Sequence, residues 1–98
     1  MVKIGVCDVS EDEARRTIYL LKSQMGKNTI GNDNVIIIAY TIEMVMLDLE
    51  DHKFDCDIFI SELSFNNGSN GVQLAKYINE TAPSCNIIFY VNKIPNEL

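Results

Sequence analysis

Two acidic residues stand where apolar runs of the sequence end. The run 3–7 stops at Asp8, and the run 57–61 stops at Glu62. Carboxylates can act as nucleophiles, as general acids or bases, and as ligands of a hard cation such as magnesium. Because ligands and chemistry collect at the carboxyl ends of parallel strands, Asp8 and Glu62 are the first candidates for a functional site.

Patterns typical of strands and helices alternate along the whole chain. Four apolar, β-branched runs (3–7, 34–39, 57–61 and 86–91) predict strands buried on both faces. Apolar residues at helical spacing lie between them. Ser10 and Thr41 are predicted helix N-caps, and Pro83 predicts that the last helix ends by Ala82. The alternation predicts one α/β domain, residues 1–98, with a parallel sheet and right-handed crossovers.

Composition argues against several functional classes. Ninety-eight residues are too few for two cores, and a net charge of -6 opposes contact with phosphate backbones, so we expect no direct nucleic-acid binding. The longest apolar run, 35–39, is too short to cross a membrane, and the N-terminus lacks a secretory signal. Three cysteines without a CxxC pair fit neither a disulfide framework nor a zinc site, so we expect a cytoplasmic protein.

Four segments carry a resemblance to a known family. In chain order they are IGVCDVSEDE (4–13), FDCDIFISEL (54–63), NGVQLA (70–75) and IIFYV (87–91). Together they resemble the receiver domain of bacterial response regulators, especially the branch that often precedes LytTR-type DNA-binding domains. The resemblance implies a flavodoxin-like sheet of order 2-1-3-4 flanked by helices. The sequence stops before the family's last βα unit, so we expect a truncated receiver-like domain.

The resemblance also implies which residues hold the functional positions. Receivers are phosphorylated on an aspartate that ends the third strand, and here Glu62 stands at that position. Asp8 and Val9 occupy the places of the metal-binding acidic pair. Val91 occupies the place of the hydroxyl after the fourth strand, unless the register slips by one. The family's lysine after the fifth strand has no counterpart in the sequence.

These departures oppose phosphoryl transfer. Glutamate carries its carboxylate about one bond length, roughly 1.5 Å, farther from the backbone than aspartate, and misplacement of that order can cost ~100-fold in rate. Val9 removes a hard oxygen ligand that magnesium requires. We therefore expect a pseudo-receiver that is not an enzyme and holds no cofactor. Magnesium bound by Asp8 and Glu62 alone remains an alternative.

Glu62 has two interpretations. Its carboxylate either stands in for the charge of a phosphoaspartate, or it is an acid at a strand end that is tolerated because it reaches water. Two other functions also remain open. One is an active receiver with Glu62 or a nearby aspartate as a non-standard acceptor. The other is an unrelated small α/β ligand-binding module, although the acidic turn after the first strand does not suit an anion.

The resemblance implies protein partners in a two-component phosphorelay, such as a sensor kinase or an output domain that regulates transcription. The expected truncation would leave the fourth strand as an open edge and one face of the sheet uncovered. We therefore expect a homo-oligomer that forms through that strand or that face.

Overall fold

A computed structural model describes residues 1–25, 34–62 and 71–90. In chain order the elements are β1 (Val2–Cys7), α1 (Glu11–Met25), β2 (Val35–Tyr40), α2 (Ile42–Glu50), β3 (Ile58–Glu62), α3 (Gly71–Thr81) and β4 (Asn86–Tyr90). All strand pairs are parallel, and the order across the sheet is β2-β1-β3-β4. The predicted flavodoxin-like sheet of order 2-1-3-4 is confirmed.

Local sequence signals set the ends of the helices. The backbone N–H of Glu13 donates to Ser10 Oγ at 3.2 Å, and that of Met44 donates to Thr41 Oγ1 at 3.3 Å, so both predicted N-caps form. α3 ends at Thr81, just before Pro83, as the sequence predicted.

A residue with a left-handed backbone conformation follows the carboxyl end of α2. His52 has a φ of 55°, its N–H donates to the Leu49 carbonyl at 3.2 Å, and the N–H of Lys53 donates to the Asp48 carbonyl at 2.7 Å. This is the Schellman arrangement, in which glycine usually takes the position of His52.

The main core lies between the sheet and the pair α2 and α3. Three rings pack there, with centroid separations of 6.1 Å for Tyr40–Phe54, 6.3 Å for Tyr40–Phe59 and 5.5 Å for Phe54–Phe59. A Cβ on Gly5 would come within 3.0 Å of the Tyr40 and Phe59 rings and of Cys56 Sγ, so the core needs a residue without a side chain there.

Helix α1 covers the opposite face of the sheet. Consecutive residues of a strand point to opposite faces. Phe89 of β4 lies against Gly71 of α3, whereas the hydroxyl of Tyr90 lies 3.5 Å from Thr17 Oγ1 of α1. The buried residues Val6 and Ala14 pack on this side. The α1 side of the sheet is therefore the side that Tyr90 faces.

Candidate functional site

Three polar side chains meet at the carboxyl edge of the sheet, on the side that α1 covers. In the strand register Val6 pairs with Ile60, and Glu62 pairs with Tyr90. Asp8 lies two residues after Val6, as Glu62 lies two residues after Ile60. Because residues two apart in a strand share a face, Asp8, Glu62 and Tyr90 form a row across β1, β3 and β4.

The two carboxylates of this row are buried. Asp8 is 1% exposed and Glu62 is 4% exposed. The interpretation of Glu62 as an acid that reaches water is therefore wrong, because almost none of this residue is accessible to solvent. The other interpretation of Glu62, as a substitute for phosphoaspartate, stays a prediction.

Tyr90 brings a hydroxyl into this row. Its Oη donates to Asp8 Oδ2 at 2.6 Å and lies 3.3 Å from the carbonyl oxygen of Cys7. Thr17 Oγ1 of α1 donates to the same Oη at 3.5 Å. One phenol group thus links β4 with the end of β1 and with α1.

Burial is the main reason that the pKa of Tyr90 lies above its usual value. The hydrogen bond to Asp8 also raises the pKa, the hydrogen bond from Thr17 lowers it, and the negative charges of Asp8 and Glu62 raise it further. The phenol therefore keeps its proton at neutral pH and remains a donor to the Asp8 carboxylate.

Val9, the second of the predicted acidic-pair positions, contributes only its backbone. Its N–H donates to Asp8 Oδ1 at 2.6 Å, and its side chain points outward and is exposed. Both carboxylate oxygens of Asp8 thus already accept a hydrogen bond.

The described residues do not fit the magnesium site of a receiver. Magnesium requires near-octahedral oxygen coordination and keeps several waters. In residues 1–25, 34–62 and 71–90 no group of three His, Cys, Asp or Glu side chains could hold a metal ion. Asp8 and Glu62 are both buried, and Oδ2 of Asp8 is taken by the Tyr90 hydroxyl.

The backbone of Glu62 packs closely against Gly71, the first residue of α3. A Cβ on Gly71 would lie 2.5 Å from the carbonyl oxygen of Glu62 and 3.0 Å from Cε1 of Phe89. Only a residue without a side chain permits the first turn of α3 to approach the end of β3 this closely. The segment that resembles the receiver NGxxLA motif therefore contains a residue that positions the site.

Val91 lies outside the described residues, so its predicted role as the switch-hydroxyl position stays a prediction. Tyr90 was not among the residues predicted from the sequence, although a signal for it was present. If Glu62 ends β3, the residue opposite it in β4 is the one before Val91, and that residue carries a hydroxyl.

The acidic residues Asp55 and Asp57 lie at the other end of β3. Lys3 Nζ donates to Asp55 Oδ2 at 2.7 Å, and the backbone N–H of Lys3 donates to Asp57 Oδ2 at 2.8 Å. These contacts join the amino ends of β1 and β3 and place both aspartates away from the candidate site.

Comparison with known proteins yields a likeness of structure. No protein-family model matches the chain, and no curated protein matches its sequence significantly. Two solved chains of the response regulator RcsB of Salmonella typhimurium match. One is 22% identical over 91% of this chain with a TM-score of 0.57, and the other is 21% identical over 90% with a TM-score of 0.59.

The fold is receiver-like. The chain spans less than half of the RcsB chains it matches, 42% of one and 39% of the other. At 22% and 21% identity the structural likeness shows a shared fold. It is not evidence that this chain has the activity of RcsB. In the described residues no helix is both long enough and apolar enough to span a membrane.

Proposed function

We propose that this chain is a pseudo-receiver, a signalling module of the two-component type that is not phosphorylated and acts through protein contacts. The proposal rests on one observation above others. The residue at the acceptor position, Glu62, is 4% exposed, and its neighbour Asp8 is hydrogen-bonded to Tyr90.

Phosphorylation of a carboxylate requires an approach in line with the leaving group and a metal that neutralises the phosphoryl oxygens. A phosphodonor has little access to a buried carboxylate, and the described residues contain no group of three His, Cys, Asp or Glu side chains that could hold a metal ion. The extra methylene of glutamate moves the attacking oxygen as well. Each factor opposes the same step, so we expect no detectable phosphorylation.

Intact mass spectrometry after incubation with acetyl phosphate and magnesium tests this proposal. The wild-type protein should keep its mass. An adduct of about 80 Da, the mass of one phosphoryl group, that disappears in Glu62→Ala would overturn the proposal in favour of an active receiver with a glutamate acceptor. A matched Glu62→Asp variant shows whether the length of the side chain alone prevents the reaction.

We also propose that the protein contacts include a second copy of the chain, joined through β4. Within the described residues β4 is an edge of the sheet, and its side chains are exposed on both faces. Ile88 on the α1 side is 52% exposed, and Phe89 on the α3 side is 39% exposed. A strand added to this edge would satisfy its unpaired backbone groups, and the side chains of that strand would partly cover Ile88 and Phe89.

In an antiparallel pair of β4 strands related by a twofold axis at Ile88, Ile88 faces its own copy and Phe89 faces Ile87 of the second copy. Apolar pairs would then form on both faces of the joined sheet. Size-exclusion chromatography with light scattering should show a dimer that Ile88→Lys converts to a monomer. Leu47→Lys, at a 60% exposed site on α2, is the matched control and should remain dimeric. A monomeric wild-type protein would refute the dimer and would leave the phosphorylation test unaffected.

A further inference from the structure

The Tyr90 hydroxyl donates to Oδ2 of Asp8, one of the two oxygens that this carboxylate could offer a cation. We propose that this hydroxyl takes the place of a divalent cation beside Asp8 and Glu62. It also joins the end of β4 to the end of β1 and to α1. The inference rests on the contacts of Tyr90 and does not depend on whether Glu62 accepts a phosphoryl group.

The first support is the need to compensate a buried charge. A carboxylate that is 1% exposed loses its hydration and must be paired, hydrogen-bonded or protonated. Asp8 receives a hydrogen bond on each oxygen, from the Val9 N–H and from the Tyr90 hydroxyl, both at 2.6 Å. The Tyr90 contact has the length of a charge-assisted O–H···O⁻ bond.

The second support is the distance between the two strands that carry the donor, Tyr90, and the acceptor, Asp8. Asp8 follows β1 and Tyr90 ends β4, and β3 lies between these strands. The two side chains therefore meet across about two strand spacings, roughly 10 Å. The tyrosine and aspartate side chains together close that gap, whereas a serine or threonine in place of Tyr90 would not reach Asp8.

The third support is the orientation of the phenol. The Oη of Tyr90 donates to Asp8 Oδ2 at 2.6 Å, so its proton is directed at the carboxylate, and Thr17 Oγ1 lies 3.5 Å from the same Oη, near the limit for a hydrogen bond. The relay Thr17–Tyr90–Asp8 joins α1, β4 and the end of β1. A bound metal ion would cross-link the ends of elements in the same way, but here side chains of the chain itself do so.

The hydroxyl and an added cation would compete for Oδ2 of Asp8. Removal of the hydroxyl should therefore increase cation binding, even though the wild-type pocket does not fit a cation. A hydrogen bond to a charged group is worth about 1.5–3 kcal/mol, which corresponds to about tenfold or more in affinity.

Manganese provides the probe, because its unpaired electrons broaden nearby NMR signals. The full chain, labelled with ¹⁵N, is titrated with Mn²⁺ while the amide signals of Asp8 and Val9 are followed. Tyr90→Phe should lose these signals at a Mn²⁺ concentration at least about tenfold lower than the wild-type protein. Tyr40→Phe removes another buried phenol hydroxyl and should behave like the wild type.

Equal broadening of wild-type and Tyr90→Phe protein would overturn the proposal. A second measurement uses the wild type alone and decides the matter if Tyr90→Phe does not fold. The Tyr90 hydroxyl proton should exchange slowly with water and show a nuclear Overhauser effect to the Thr17 side chain. A Tyr90 hydroxyl that exchanges as fast as the exposed one of Tyr19 would also overturn it.

Discussion

The hydrogen bond between Tyr90 and Asp8 should contribute measurably to stability, and a double-mutant cycle can isolate it. The cycle combines Tyr90→Phe, Asp8→Ala and the double variant. Tyr90→Phe deletes the donor and keeps the ring. Asp8→Ala deletes the acceptor, and the loss of the Val9 N–H contact that accompanies it is common to both Asp8 variants and cancels.

The expected magnitude follows from the geometry. The Oη–Oδ2 distance is 2.6 Å, and Asp8 is 1% exposed, so water competes little for the carboxylate. A hydrogen bond to a charged partner contributes about 1.5–3 kcal/mol. We expect a coupling energy of about 2 kcal/mol, and Tyr90→Phe alone should lower the melting temperature by about 8–16 °C for a domain of this size.

Urea unfolding at neutral pH, followed by circular dichroism, measures all four free energies. A second cycle on Tyr40 and Asp48 is the control, because Tyr40 Oη donates to Asp48 Oδ2 at 3.5 Å, near the limit for a hydrogen bond. Its coupling should be below about 0.5 kcal/mol. A Tyr90–Asp8 coupling no larger than this control would refute the bond as a stabilising contact.

Three further predictions concern stability. His52→Gly should raise the free energy of unfolding by about 0.5–1 kcal/mol, because His52 holds a left-handed φ of 55° that glycine adopts without strain; thermal unfolding measures it, with His52→Ala as a control that gains nothing. Gly71→Ala should cost about 1–3 kcal/mol in urea unfolding, because its Cβ would lie 2.5 Å from the Glu62 carbonyl oxygen. Burial, with the nearby charges of Asp8 and Glu43, raises the pKa of the Cys7 thiol from 9.0 to about 12. The folded chain therefore keeps a proton that the unfolded chain loses, and the free energy of unfolding should fall as pH rises from 9 towards 12.

Each of these predictions has an outcome that contradicts it. A destabilised His52→Gly would show that the histidine side chain makes a contact that outweighs the backbone strain. An unchanged Gly71→Ala would show that α3 can move away from β3 without cost. In the alkaline series Cys7→Ala should lose less stability than the wild type between pH 9 and 11, and equal losses would mean that Cys7 titrates normally in the folded chain.

The positions of the strands along the chain and the helix caps could be predicted because their signals are local, whereas the order of the strands across the sheet was implied by the resemblance to receiver domains. A strand can be recognised from an apolar run between polar segments, and a helix cap from a serine three residues before a glutamate. Both patterns lie within a few positions of the chain. The bounds of β2 were predicted one residue too early, at 34–39 where the structure has Val35–Tyr40. β2 pairs with β1 as far as Cys7 and Tyr40. The end of β2 is therefore set by its register against β1 and not by its own composition.

The contents of the site were harder to predict, because they depend on contacts between distant parts of the chain. The positions of Asp8 and Glu62 followed from the strand ends, but their burial did not. The contact of Tyr90 with Asp8 crosses an intervening strand and joins residues that are 82 positions apart. No local pattern specifies such a contact, because the signal for it lies in the register of β4 against β3, and by itself the tyrosine resembles an ordinary aromatic residue of a buried strand.

The most direct test of the account is the ¹⁵N–¹H spectrum of the wild-type protein in the presence of acetyl phosphate and magnesium. The amide signals of Asp8, Glu62 and Tyr90 should keep their positions, because the Tyr90 hydroxyl occupies Oδ2 of Asp8 and Glu62 is buried. New signals for these three residues that revert when the phosphodonor is consumed would contradict it, because they would show a receiver that is phosphorylated and dephosphorylated.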